Sequence, residues 1–243
     1  MDIRCLLQEI DSVKTELDSS IRLDACEERR SLEHFMLDFT YNSNAIEGST
    51  LTMSETALVI LEGLTINKKP LRDHFDAVNH KHAFDYIIAL SKDKEVLTEK
   101  VIKEIHSLVF AAEPFHKGKY RDAFVQIFGA LVLSSYASDT RHPIEKIADF
   151  HINFERIHPF IDSNDRAGRL IMNLQLIQAG YLPINVKFTD RQAYIGCFND
   201  YSENGHSGKF IEMAARYELE ELQKHLAAIQ MKEECLKKYR QNK

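Results

Sequence analysis

Apolar residues recur at intervals of three and four along most of this chain, and little interrupts them. Ile3, Leu6, Leu7, Ile10, Val13, Leu17 and Ile21 open the sequence in that pattern, which is the period of one face of an α-helix. Nine Gly and five Pro in 243 residues leave few breaks, so a mainly helical protein is expected. The same spacing predicts a helix over about Glu27–Ile46, stopped by Gly48. Thr52, with Glu55 three residues on, reads as the capped start of another. Further helices are expected over Leu71–Leu90, Thr98–Phe110, Pro143–Ile157, Arg166–Ala179, Arg191–Tyr201 and Lys209–Tyr239.

One stretch breaks the pattern. Ala123–Leu133, AFVQIFGALVL, is β-branched and aromatic with Gly129 inside it, and reads as a short β-hairpin. Pro114–Arg121 before it and Ser134–Arg141 after it read as loops. A lone hairpin is marginal by itself, so it is expected to lie against something. The fold class is therefore mainly α, a helical bundle with one short β-hairpin.

Composition excludes several roles. A net charge of -6 argues against a general nucleic-acid surface. No apolar run approaches about 18 residues, so no membrane partner is expected. The acid-bearing N-terminus is not a signal peptide. Cys5, Cys26, Cys197 and Cys235 are scattered without metal-like spacing, and read as reduced thiols of a cytoplasmic protein.

The chemistry concentrates in IHPFIDSNDRAGRL, Ile157–Leu170. Arg166 and Arg169 share a face at a helix start, where the backbone dipole repels cations. A di- or triphosphate turns that cost into a gain, because helix N-termini bind anions. Asn164 can donate to phosphate oxygens, and Asp162 can hold a Mg²⁺ that the phosphates also bind. His158 is the only proton acceptor of the group suited to neutral pH. Phe160 reads as a core anchor for the loop.

This segment resembles the signature of the Fic (Fic/Doc) family, H-P-F-x-(D/E)-G-N-G-R-x-x-R. The resemblance extends over roughly residues 30–220, through NSNAIEGSTLTMSET, LVFAAEPFHKGKYRDAFVQIFG and RQAYIGCF. It implies a Fic-type bundle that transfers AMP from ATP to a Ser, Thr or Tyr hydroxyl of a protein. By the motif, His158 would deprotonate the hydroxyl and Asp162 would bind Mg²⁺. Asn164, Arg166 and the backbone near Ser163 and Asp165 would hold the phosphates, and Arg169 the γ-phosphate. The hairpin, through Val125, Gln126, Ile127 and Phe128, would be a flap that holds the target by strand addition. Tyr194 and Asn204 would lie near the adenine or ribose; for Tyr194, core packing is an equal reading.

SNAIEG, Ser43–Gly48, resembles the family's inhibitory motif (S/T)-x-x-x-E-(G/N). Ser43 and Glu47 share a helix face, and Glu47 would pull Arg169 off the γ-phosphate. The implied organisation is an N-terminal helix over 1–30, a Fic domain over 31–220 with its inhibitory helix at 31–48, and a C-terminal helix over 221–243. Self-modification and a homodimer stay open.

Ser163 and Asp165 stand where the family has glycines. An acid beside a triphosphate repels it unless it points away or holds a cation. Asp165 therefore keeps three alternatives open: a Fic-fold kinase, another nucleotide-linked phosphotransferase, or a nucleotide-binding regulator that transfers nothing.

Overall fold

The computed structural model describes the backbone of residues 2–241 apart from 22, 94 and 112; side chains 123, 124, 126–128 and 235–241 are also left undescribed. Ten α-helices are described: α1 (Ile3–Ser19), α2 (Ala25–Ile46), α3 (Met53–Glu62), α4 (Leu71–Asp93), α5 (Glu99–Val109), α6 (Ala123–Ser138), α7 (Pro143–Ile157), α8 (Asn164–Gln178), α9 (Arg191–Asn204) and α10 (Gly208–Gln241). A 3₁₀ turn, Phe188–Asp190, leads into α9. No strand occurs among the described residues. Nor is any described helix long and apolar enough to cross a membrane.

Local signals set several helix starts. Asp24 with Glu27 and Thr52 with Glu55 form complete capping boxes on α2 and α3. Thr98 caps α5, and Pro143 occupies the first turn of α7, where its missing N–H costs nothing. Gly48 follows α2 with φ +93°, a conformation that other residues adopt only with strain.

The hairpin is not there. Residues 123–138 are helical as α6, and Asp122 caps it by accepting from the Val125 N–H at 2.9 Å. A nearly continuous apolar run, broken only by Gln126, carries neither the strand nor the helix period, so its neighbours decide it. A helix closes its own hydrogen bonds, whereas a hairpin here would have had no sheet to join. The polar loop expected from Ser134 is correspondingly shorter, because α6 runs on to Ser138. Val125 is buried in α6. The side chains of Gln126, Ile127 and Phe128 lie outside the described residues. A flap that binds by strand addition has no strand edge to offer.

Two apolar clusters form the core, and α8 belongs to both. Met172 and Leu176 join the side chains of α1, α7, α9 and α10. Ala167, Leu170, Ile171 and Leu174 join those of α2, α4, α5 and α7. A helix apolar on two sides is a central helix. Each such leucine or isoleucine contributes about 1.5–3 kcal/mol by burial. The N-terminal turn of α8 is thereby fixed in place. The expected boundaries at 30/31 and 220/221 fall inside α2 and α10.

Candidate active site

The loop between α7 and α8 is held from three sides. His158 ends α7 with φ 49° and ψ 61°, and its N–H donates to the Phe154 carbonyl at 3.0 Å. Histidine tolerates this left-handed conformation better than most residues. Arg121 grips the turn: its Nε donates to the His158 carbonyl at 2.9 Å and its N–H to the Pro159 carbonyl at 2.9 Å. The His158 side chain is exposed and has no hydrogen bond among the described residues. Phe160 is fully buried, and its ring stacks on His106 with centroids 3.7 Å apart. That bears out its reading as an anchor.

His106 has a fixed tautomer. Its Nδ1 accepts from the Gly118 N–H at 2.9 Å, so Nε2 carries the proton and donates to the Asp162 carbonyl at 3.0 Å. Burial pulls its pKa down to about 4, which keeps the ring neutral in this role. The Asp162 backbone is thus held while its carboxylate stays half exposed. One oxygen accepts from the Ser163 N–H, and the other lies 3.4 Å from Arg72 Nη2.

Ser163 adopts φ 63° and ψ 18°. A non-glycine residue holds this conformation at a cost of about 1–2 kcal/mol. Its hydroxyl offsets part of that by accepting from Arg166 Nη2 at 2.7 Å. No side chain caps α8, which leaves its first N–H groups free for an anion. Asn164 serves the loop instead. Its Oδ1 accepts from the Phe160 N–H at 2.8 Å, and its Nδ2 donates to the Phe160 carbonyl at 2.9 Å. Both ends of the amide are engaged, so this side chain shapes the turn before α8 rather than reaching from it.

Both arginines of the motif are buried, and each has its own acid. Arg166 pairs with Asp76 of α4 at 2.6 Å. Arg169 donates to the Ser43 hydroxyl at 3.0 Å, to the Ser43 carbonyl at 2.9 Å and to Glu47 Oε1 at 2.9 Å. Its guanidinium also lies 5.8 Å from the centre of the Tyr194 ring. The last turn of α2 therefore delivers Ser43 and Glu47 to the start of α8. His80, on α4, faces both cations. Burial first, and then Arg169 and Arg166, keep its pKa well below normal, and Thr40 holds its Nδ1 at 3.0 Å.

Tyr194 is core. It is buried, its hydroxyl lies 2.8 Å from His151 Nε2, and its ring meets Phe198 edge-on. Asn204 stands at the exposed end of α9, where its amide donates to Asp200 at 3.0 Å. No hydrogen bond among the described residues joins it to the motif.

Asp165 lies in the first turn of α8, where the helix dipole favours an acid. It lies one turn before Gly168 on the same face of α8, the face against which Glu155 of α7 packs. Glu155 is buried; the burial, and then the charge of Asp165, push its pKa well above the carboxylate range. Gly168 makes the room. A Cβ there would overlap Glu155 Oε1 and lie 3.2 Å from Phe154 Cδ1. Gly168→Ala is accordingly expected to destabilise the fold by about 1–3 kcal/mol in chemical denaturation. The cost should shrink in a Glu155→Ala background; an equal cost in both would assign the clash to Phe154 alone.

The model of the Fic/DOC family matches residues 96–176, which contain this whole loop. Over 230 residues, 87% of the chain, it is 30% identical to the protein adenylyltransferase Fic of Nematostella vectensis and spans 53% of that relative. It is 31% identical over 205 residues to the protein adenylyltransferase Fic of Drosophila persimilis, spanning 40% of it. A Fic domain containing signaling protein from Bacteroides thetaiotaomicron superposes with a TM-score of 0.83 at 24% identity, covering 93% of this chain and 97% of that one. Fic-1 from C. elegans superposes with a TM-score of 0.85 at 23% identity, covering 93% and 71%. The chain belongs to the Fic/DOC family.

In this Fic protein the motif is completed by residues that sequence reasoning did not single out. Asp76, Arg72, His106 and Arg121 are ordinary residues, far from the motif in the chain, and carry no local signal. Glu155 did carry one. Ile144, Ile147, Ala148 and His151 are buried positions at helical spacing on α7, and Glu155 continues their stripe. An acid on an apolar face asks for a partner.

Proposed function

We propose that this Fic domain transfers AMP from ATP to a hydroxyl of a protein, and that Glu47 restrains it. The observation that carries the reading is the contact of Arg169 with Glu47 at the uncapped start of α8, beside an exposed His158. Relatives named protein adenylyltransferase Fic support it. The chain spans about half or less of their length.

In this reading the N–H groups of the first turn of α8 hold phosphate oxygens, with Arg166 behind them. Arg169 takes the outermost phosphate once Glu47 releases it. His158 accepts the proton of the incoming hydroxyl, whose oxygen attacks the α-phosphorus, and pyrophosphate departs. Mg²⁺ fits the donors present. It binds through one or two carboxylates plus phosphates, and Asp162 supplies one outward carboxylate. The described residues offer no cluster of three or more metal-binding side chains. The ion would neutralise phosphate charge. Asn164 acts through the loop, and Tyr194 acts by supporting Arg169. The functional division is 1–30, 31–220 and 221–243. The free thiols of Cys5, Cys26 and Cys197 suit a cytoplasmic setting.

Asp165 favours the second reading, a Fic fold that transfers phosphate or nothing. ATP labelled at either end decides between the two. Label from the α-phosphate should enter protein; entry from the γ-phosphate alone would make the chain a kinase.

A further inference from the structure

Glu155 has no place in the transfer just described, yet it is the most unusual side chain near it. Only 8% of it is exposed, and neither carboxyl oxygen accepts a hydrogen bond from any described N–H or O–H. A buried carboxylate without donors is costly, and a carboxylic acid that donates is not. Glu155 Oε1 lies where a Cβ of Gly168 would be, and Asp165 is one turn before Gly168 on the same face of α8, so the acceptor within reach is Asp165. Gly168 supplies the space that lets Glu155 sit there.

We infer that Glu155 and Asp165 form a carboxylic acid–carboxylate pair whose proton gates the phosphate cradle. With the proton, Glu155 holds Asp165 against α7, and the pair carries one negative charge. Without it, two negative charges lie under the cradle, repel the phosphates and compete with them for Arg169. Glu155 is thus a positioning residue that acts through Asp165. The inference rests on the cradle being a nucleotide site.

The surroundings agree in sign. Arg169 of α8 draws the pair toward the charged form, whereas Glu47 of α2 opposes a second charge. Tyr194 of α9 is held neutral by burial and by these same acids. His151, one turn before Glu155 on α7, is held neutral by burial, with a pKa near 3. Among the described residues, Arg169 is the cation that acts most on Glu155. Glu155 binds its proton more tightly folded than unfolded. Its contribution to stability is therefore full below the ordinary carboxylate range and is lost as pH rises through the raised folded value.

The test is ATP binding with Mg²⁺ by calorimetry, from about pH 6 to about pH 9, a range that spans the values known for buried acids. Wild-type and Glu155→Gln chains are compared, so the titration of ATP itself cancels. Wild-type affinity should fall about tenfold relative to the variant as pH rises. A ratio that does not change with pH overturns the gate. If Glu155→Gln does not fold, Asp165→Asn serves, with the same loss of pH dependence expected. An infrared protonated-carboxyl band at neutral pH should be stronger in the nucleotide-free wild type than in the variant, which keeps the contribution of Glu218, a buried acid whose pKa is raised to about 8. Equal bands in the two overturn the pair whatever ATP does. The difference together with no ATP binding at any pH upholds the pair and overturns the nucleotide reading.

Discussion

Glu47→Gly should raise AMP transfer about 10- to 100-fold, the equivalent of one charge-assisted hydrogen bond of about 1.5–3 kcal/mol. Arg169 is wholly buried and Glu47 one-third exposed, so the acid can leave while the cation stays. In the resting protein the guanidinium is spent on Ser43 and Glu47. In the proposed function, removing the carboxylate would leave Arg169 to the outermost phosphate. The same change should lower the melting temperature without ATP, because breaking a buried pair strands a charge. Saturating ATP with Mg²⁺ should restore more of that loss in the variant than in the wild type. Glu47→Gln, which keeps the shape and loses the charge, should fall between the two. Transfer rates and melting curves for the three proteins check this. Equal rates would mean that Asp165, still close to Arg169, is the dominant restraint.

His158→Ala should lower transfer by about 10²–10⁴, the range for a positioned general base. The ring is exposed and makes no hydrogen bond among the described residues, so removing it should leave ATP affinity nearly unchanged. The fold should lose only about 1 kcal/mol, because alanine tolerates the left-handed end of α7 less well than histidine. A split between lost turnover and retained binding is the signature of a base; parallel losses would make His158 a structural residue.

Much of the helical frame could be read from local chemistry. α3 and α7 begin where Thr52 and Pro143 place them, and α2 stops before Gly48, because those signals act within a turn. α6 could not be read, since residues 123–133, with Gln126 their only polar member, say that a segment is apolar and not how it folds. In the site, the motif residues were legible because they are contiguous. Asn164 shows the limit: the sequence displays a donor and not the Phe160 backbone that consumes it. Asp76 and His106 were invisible because only the packing of α4 and α5 against α8 brings them to the loop. Asp165 looked like an acid misplaced in a phosphate cradle. With Glu155 behind it and Gly168 making room, it becomes one half of a pair.

The central claim is that Glu47 and His158 control AMP transfer at this cradle. The most direct measurement is the intact mass of purified Glu47→Gly protein, alone and with His158→Ala, after incubation with ATP and Mg²⁺. One or more added AMP groups on the single variant and none on the double is the expected result. A gain of phosphate alone, or an AMP adduct that survives the loss of His158, would contradict it.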